Sequence, residues 1–236
     1  MNALAMHIAN GIIDGQVAAV FAVLAAAVLT VCVLRARQDL DDRLAPMAGL
    51  LAAFIFAVQM INYPVLPGVS GHVLGGALAA ILVGPWVGAL CVSVVLVVQA
   101  LVFADGGLTA LGLNITNMAI IGTATGYLLA TLLLRVLPRT TAGVGITAFV
   151  ASLVSVVAAS LGFVLEYWLG GEVYLGKTLG VAAGILAGEH ALIGIGEGLI
   201  AAATVTTVAK VRPDLVYALR RLNRVPAARR PAMGRV

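Results

Sequence analysis

Charge is what this sequence has least of. Only 10% of its 236 residues are Asp, Glu, Lys or Arg, and 6% are aromatic. So sparse a charged surface excludes an ordinary soluble globular domain, in which about a quarter of residues are charged. Cysteine is nearly absent as well. Cys32 and Cys91 fall in separate apolar runs with no CxxC or CxxH spacing, which argues against a disulfide scaffold and a thiolate metal site and for two small buried residues. Histidine occurs three times, at His7, His72 and His190. The HExxH pattern of zinc proteases is missing, because Glu189 precedes His190 and the next acidic residue is Glu197. No Lys or Arg precedes the first apolar run, and its ~20 apolar residues exceed the core of a cleavable signal, so it is expected to remain as a membrane span.

What the chain has in plenty is apolar surface: 62% hydrophobic residues and a mean hydropathy of +1.11. That composition is an integral membrane protein with a single membrane domain. Apolar runs lie near 15–34, 44–61, 73–83, 86–103, 115–137, 142–169 and 178–209. The third is the short one, since its rise as a helix is only about 16 Å against ~30 Å of hydrocarbon. Charge decides how to read it. If all seven runs cross, Arg35, Arg37, Arg43, Arg135, Arg139 and the basic residues from Lys210 to Arg235 share one side, leaving only Lys177 opposite. If the third does not cross, the bias between the sides is much weaker than the positive-inside rule leaves near span ends. The expectation is therefore an all-α integral membrane protein of seven transmembrane helices, amino terminus outside and carboxyl terminus in the cytoplasm. Residues 6–210 form the membrane domain, and the basic tail 211–236 lies on anionic lipid at the bilayer surface. Nucleic acid is not an expected partner.

This topology disposes of one motif. GEVYLGKT at 171–178 satisfies G-x-x-x-x-G-K-[ST], but a phosphate loop needs a preceding buried strand and access to cytoplasmic nucleotide. Here the match links two spans on the outer face, and it is read as chance.

Polar chemistry collects on the outer side. It comprises the amino-terminal segment with His7 and Asn10, the loop INYPVLPGVSGH from Asn62 to His72, and the loop FADGGLTALGLNITN with Asp105, Asn114 and Asn117. Each has a bland reading alone: a wetted loop histidine, an Asp-Gly-Gly turn, helix caps or interhelix hydrogen bonds. Together they can close over one pocket. Inside the last run, LAGEHALIGIGEGLI carries Glu189, His190 and Glu197. Ionisable residues at that depth usually face the bundle interior. His190 and Glu197 fall nearly in line on one helix face with Gly194 between them, a polar seam that fits structural pairing and a transport role equally well.

The stretch MNALAMHIANG raises a further possibility at His7. If translation begins at Met6, residues 1–5 are an upstream extension. The free amine, the amide nitrogen of His7 and its imidazole then form fused five- and six-membered chelate rings. A fourth nitrogen from His72 would complete a square-planar set suited to Ni(II) or Cu(II). The alternative is that His7 is an ordinary residue before a helix.

Several adjoining segments resemble one family. MHIANG at 6–11, GVSGHVLGGALAAILVGPW at 68–86, QALVFADGGLTALGLNITNM at 99–118 and HALIGIGEGLI at 190–200 are similar to the cobalt/nickel substrate-specificity (S) component of energy-coupling factor transporters, the CbiM/NikM type. The resemblance runs from Met6 to about Lys210. It implies an extra amino-terminal helix threading the terminus into a six-helix S-component bundle, with the terminal amine of Met6, His7 and His72 holding Ni(II) or Co(II) as cargo. It implies no cofactor and no catalysis, and supply of cobalt for cobalamin biosynthesis in the cobalt branch. Its partners would be a transmembrane coupling (T) component, cytoplasmic ATP-binding subunits and a small auxiliary membrane subunit. Asn10 departs from the Asp or Glu usual there. Asn62, Asp105, Asn114 and Asn117 are expected to support the pocket.

Ala45, Gly49, Ala53 and Ala57 recur every four residues on the second run, a small-xxx-small stripe that lets helices approach closely. It can dock a partner or pack within the chain. Two rival functions use other residues: a membrane metalloenzyme or an ion channel built on Glu189, His190 and Glu197. Ligand affinity order alone favours copper over nickel or cobalt, so supply and partners must contribute to selectivity.

Overall fold

The computed structural model describes residues 7–40, 44–60, 62–66, 69–138, 140–173 and 178–223. Met6, the extension before it, Lys177 and the tail from 224 onward lie outside the described residues, as does the side chain of Asn62.

Each apolar run folds as helix. The elements are α1 (Gly15–Asp39), α2 (Leu44–Gln59), α3 (Gly76–Val83), α4 (Pro85–Val102), α5 (Leu111–Asn114), α6 (Thr123–Val136), α7 (Thr141–Gly170), α8 (Leu179–Val211) and α9 (Tyr217–Asn223). A π-helical stretch, Ile115–Gly122, joins α5 to α6. Five spans are long and apolar enough to cross a bilayer: α1, α4, Leu111–Val136, α7 and α8. The protein is a multi-pass membrane protein. Helix α2 is a shorter apolar helix of 16 residues, and α3 has only eight, a rise of about 12 Å.

The exposed surfaces are apolar, as lipid requires. On α1 the buried residues are Ala18, Ala25, Cys32 and Ala36, whereas Val20, Val23, Leu24 and Leu34 face outward. Small side chains turned inward let this helix lie close; Gly112 meets Ala22 with no room for a Cβ. Asp14 starts α1 by accepting the amides of Gln16 and Val17 at 3.1 and 3.2 Å, satisfying two donors a helix start leaves open.

Helix α3 is buried along its whole length. It turns into α4 at Gly84, whose φ of +92° favours glycine, and Pro85 then opens α4 where its missing N–H costs nothing. Close approach is again by glycine: Gly88 against Ala79, and Gly126 against Ala77. Helices α7 and α8 pack along Gly194 on Leu153 and Gly198 on Phe149.

Among the described residues, the departure from an all-α chain is a two-stranded antiparallel hairpin. Strands β1 (Asn62–Leu66) and β2 (Val69–His72) pair with Asn62 opposite His72. The sequence reading leaves this stretch as loop because Pro64, Pro67 and Gly68 interrupt any alternation. At the other end, α9 folds back so that Tyr217 fills the space a side chain at Gly84 would need. Val216, Tyr217 and Ala218 are buried, so the first part of the tail packs against the bundle.

Candidate metal centre

Three segments converge at one end of the bundle. Residues 7–14 run between the 105–109 loop and the end of α7. On one side Gly107 N–H donates to Ile8 O at 2.9 Å, and Thr109 donates through N–H and Oγ1 to Asn10 Oδ1 at 3.0 and 2.7 Å. On the other side Asp14 N–H donates to Gly170 O at 2.6 Å and Glu172 N–H to Ile12 O at 3.0 Å. Asn114 closes a third side. Its Oδ1 accepts Ile8 N–H at 3.0 Å and its Nδ2 donates to Ile8 O at 3.3 Å.

The segment so held delivers His7 to His72. Both are 5% exposed, and their rings meet edge to face with centroids 4.7 Å apart. His7 Nδ1 faces Asp105 Oδ1 at 3.4 Å, and His7 Nε2 is buried with no hydrogen-bond partner. His72 Nδ1 lies 2.9 Å from Val73 O. A carbonyl only accepts, so Nδ1 carries the proton and Nε2 keeps its lone pair. Burial, then the neighbouring His7, pushes the His72 pKa down to about 3. His72 is therefore a neutral imidazole, the form that ligates metals.

The rings open on a cavity of about 60 Å³. His7, His72, Asn114, Asn117, Ser160 and His190 supply its polar lining, and Met118, Phe163 and Leu186 part of its apolar wall. Among the described residues no three His, Cys, Asp or Glu side chains are grouped to hold a metal ion. An ion bound by the two imidazoles would therefore need other donors.

The seam on α8 divides. His190 faces the cavity and its Nδ1 lies 2.8 Å from Leu186 O. Gly194 and Glu197 are buried on the same face as His190, whereas Glu189, one step of ~100° away, is only half-buried. Glu197 receives two main-chain amides, Leu74 N–H at 2.6 Å and Gly75 N–H at 3.1 Å. Glu189, His190 and Glu197 thus form no single cluster, which removes the geometric basis for a metalloenzyme or channel built on them.

The sequence reading missed Glu166. It is buried in α7 and accepts from Asn117 Nδ2 at 2.7 Å. Its signal was present: it is the sole acidic residue in the 142–169 run. Gln59, buried at the end of α2, was missed too; its Nε2 donates to Leu74 O at 2.7 Å. The stripe Ala45, Gly49, Ala53 and Ala57 faces outward, while Leu51, Ile55 and Gln59 face in.

A helical bundle of membrane-crossing length, enclosing two buried imidazoles over a small cavity with further polar lining, defines a polytopic membrane protein with an internal pocket. Comparison with known proteins is specific. Residues 7–215 match the family described as the cobalt uptake substrate-specific transmembrane region, CbiM, and the chain belongs to that family. A protein of Archaeoglobus fulgidus provisionally named fused nickel transport protein NikMN is 41% identical over 211 residues, 89% of this chain and 68% of that one. The cobalt transport protein CbiM of Sorangium cellulosum is 32% identical over 229 residues, 94% of this chain and 100% of the other. A crystal structure of a transition metal transporter superposes with a TM-score of 0.77 at 30% identity, covering 92% of this chain and 97% of that one.

Proposed function

We propose that this chain is the substrate-specificity subunit of an ATP-driven energy-coupling factor importer, capturing Ni(II) or Co(II) at its outer face. The observation that carries this reading is the meeting of His7 and His72, buried edge to face over one small cavity. The transport role agrees with the family and with the cobalt and nickel names of its members.

The donors are the two imidazoles with the amine of Met6 and the amide nitrogen of His7. A six-membered ring through that amide must close at His7 Nδ1, the atom that faces Asp105. The carboxylate then sits beside the bound cation and offsets its charge. Asn114 fixes the main chain next to His7, and Asn10 holds the 105–109 loop through Thr109. These are supporting roles that need no contact with the ion.

The chain passes seven times with the amino terminus outside, the eight-residue α3 making its pass together with the non-helical backbone that leads into it, so the thirteen basic residues other than Lys177 share the cytoplasmic side. Residues 6–210 form the membrane domain and 211–236 the cytoplasmic tail. Energy comes from partners: a coupling membrane component, ATP-binding subunits and a small auxiliary membrane subunit. The outward stripe Ala45, Gly49, Ala53 and Ala57 is the docking face for the coupling component.

The test is calorimetric titration of the purified full chain, with its first residue established by intact mass. High-affinity Ni(II) or Co(II) binding should require a start at Met6 and should vanish in His7→Ala and in His72→Ala, while His190→Ala retains it. Wild-type affinity in both ligand mutants, or in protein that begins at Met1, defeats the reading.

A further inference from the structure

We infer that Glu197 and Gln59 are positioning residues for the metal, setting the direction and donor strength of His72 through two consecutive peptide groups. The inference rests on His72 being a ligand, as proposed above, and deepens that reading.

The geometry is a closed chain of contacts. The Val73–Leu74 peptide is one rigid plane, and both of its polar ends are used. Its carbonyl accepts from His72 Nδ1 at 2.9 Å, and its N–H donates to Glu197 Oε2 at 2.6 Å. The next plane is gripped in the same way. Leu74 O accepts from Gln59 Nε2 at 2.7 Å, and Gly75 N–H donates to Glu197 Oε1 at 3.1 Å. Neither plane can turn without breaking a bond to α2 or α8. The left-handed Gly75, φ +79°, is packed so tightly on Ile55 that a Cβ would lie 2.9 Å from its side chain, which blocks a third way of swinging the arm.

A purely structural role is available to both residues. Helix α3 starts at Gly76, and non-helical backbone buried in a membrane bundle must find its hydrogen bonds inside the protein. That role does not explain why the carboxylate grips the same peptide whose carbonyl holds the histidine ring. A metal-bound histidine commonly has a carboxylate or carbonyl on its other nitrogen, which orients the ring and strengthens it as a donor. Here the carboxylate acts one peptide further back. It polarises the N–H of Leu74, making the Val73 carbonyl a better acceptor and His72 Nε2 a stronger donor.

The arrangement also joins the ion to α2. The inward residues Ile55 and Gln59 touch the arm, and the outward residues of the same helix form the exposed stripe. A shift of α2 is transmitted to the ring by one hydrogen bond and one packing contact.

The experiment uses the purified full chain in detergent, loaded with Ni(II) or Cu(II). It reads affinity by calorimetry, ligand field by visible absorption and Cu(II) electron paramagnetic resonance, and Tm separately. Glu197→Gln keeps size but loses the charge and one acceptor. It should weaken binding about 10- to 100-fold, as loss of an outer-shell partner does, and shift the spectrum. Glu197→Asp should give a smaller shift, and Gln59→Leu a change in affinity and spectrum with the charge intact. Val205→Ala, a buried truncation elsewhere on α8, should lower Tm with an unchanged spectrum. If Glu197→Gln does not fold, Gln59→Leu and Glu197→Asp decide. Variants that lose Tm but keep wild-type affinity and spectrum overturn the inference. Loss of the parent reading looks different, since His72→Ala would then bind metal like the wild type.

Discussion

Asn114 holds both main-chain polar groups of Ile8, accepting its N–H at 3.0 Å and donating to its carbonyl at 3.3 Å across 106 residues of sequence. A side-chain amide is the one neutral group that offers an acceptor and a donor with this spacing. It puts His7 one residue from a fixed point at the end of α5, just before the π-helical stretch.

Asn114→Ala removes both bonds and strands the buried N–H of Ile8, whose carbonyl keeps the Gly107 N–H, a cost of about 1–3 kcal/mol. Since 1.4 kcal/mol is a factor of ten, Ni(II) affinity measured by calorimetry should fall by about fivefold or more. Asn114→Asp keeps the acceptor and loses the donor, so it should fall between the two. Equal affinity in all three proteins counts against the clamp.

Gly106→Ala should harm the site from outside it. Gly106 has φ +82°, and an added Cβ would lie 2.8 Å from His7 Cβ. The left-handed backbone costs a non-glycine residue about 1–2 kcal/mol, and the contact pushes His7 off His72. Weaker metal binding with the helical circular-dichroism spectrum intact is the expected result. Unchanged binding means His7 does not depend on this loop.

Glu166 and Asn117 make a prediction about stability. Asn117 donates to the Glu166 carboxylate at 2.7 Å, and Gly162 leaves no room for a Cβ beside Asn117 Oδ1. Glu166→Gln can keep the bond through its amide oxygen and should change Tm little. Glu166→Leu strands the Asn117 amide in the bundle and should cost about 1–3 kcal/mol, read as a lower Tm in detergent. A Tm loss in the Gln variant equal to that in the Leu variant would show that charge, not the bond, matters there.

The fold was legible to the extent that hydrophobic length carries it. Every apolar run is helical, and the division between buried small residues and exposed large ones on α1 follows from lipid being the solvent. What escaped is structure that leaves no trace in hydropathy. The π-helical stretch Ile115–Gly122 is apolar like the α-helix that follows it. The β1–β2 hairpin is written in a segment broken by Pro64 and Gly68. In the site, His7, Asn10, His72, Asp105 and Asn114 could be picked out as polar residues in the outer loops. Gln59 could not, because its partner is a main-chain carbonyl that only the folded bundle brings near; Glu166 stands out as the sole acidic residue of its run, but its pairing with Asn117 does not. On α8, His190, Gly194 and Glu197 share a buried face as the helical spacing predicts, whereas Glu189, next to His190 in sequence, is only half-buried.

On the proposed docking role, the outward stripe on α2 separates capture from coupling. Gly49 has open space where a Cβ would stand, so Gly49→Leu should leave Tm and Ni(II) affinity of the isolated chain unchanged. It should reduce recovery of the coupling component on co-purification from cells expressing the whole transporter. Undiminished recovery places the docking face elsewhere.

Three of the bonds that seat residues 8–14, those joining Ile8 to Gly107, Ile12 to Glu172 and Asp14 to Gly170, run between main-chain atoms. Such ties are blind to side-chain identity. Mutational drift at half-buried Ala9 can therefore change the outside of the strap while leaving His7 at the same address, so a lineage is free to vary that surface without first rebuilding the frame that presents the histidine.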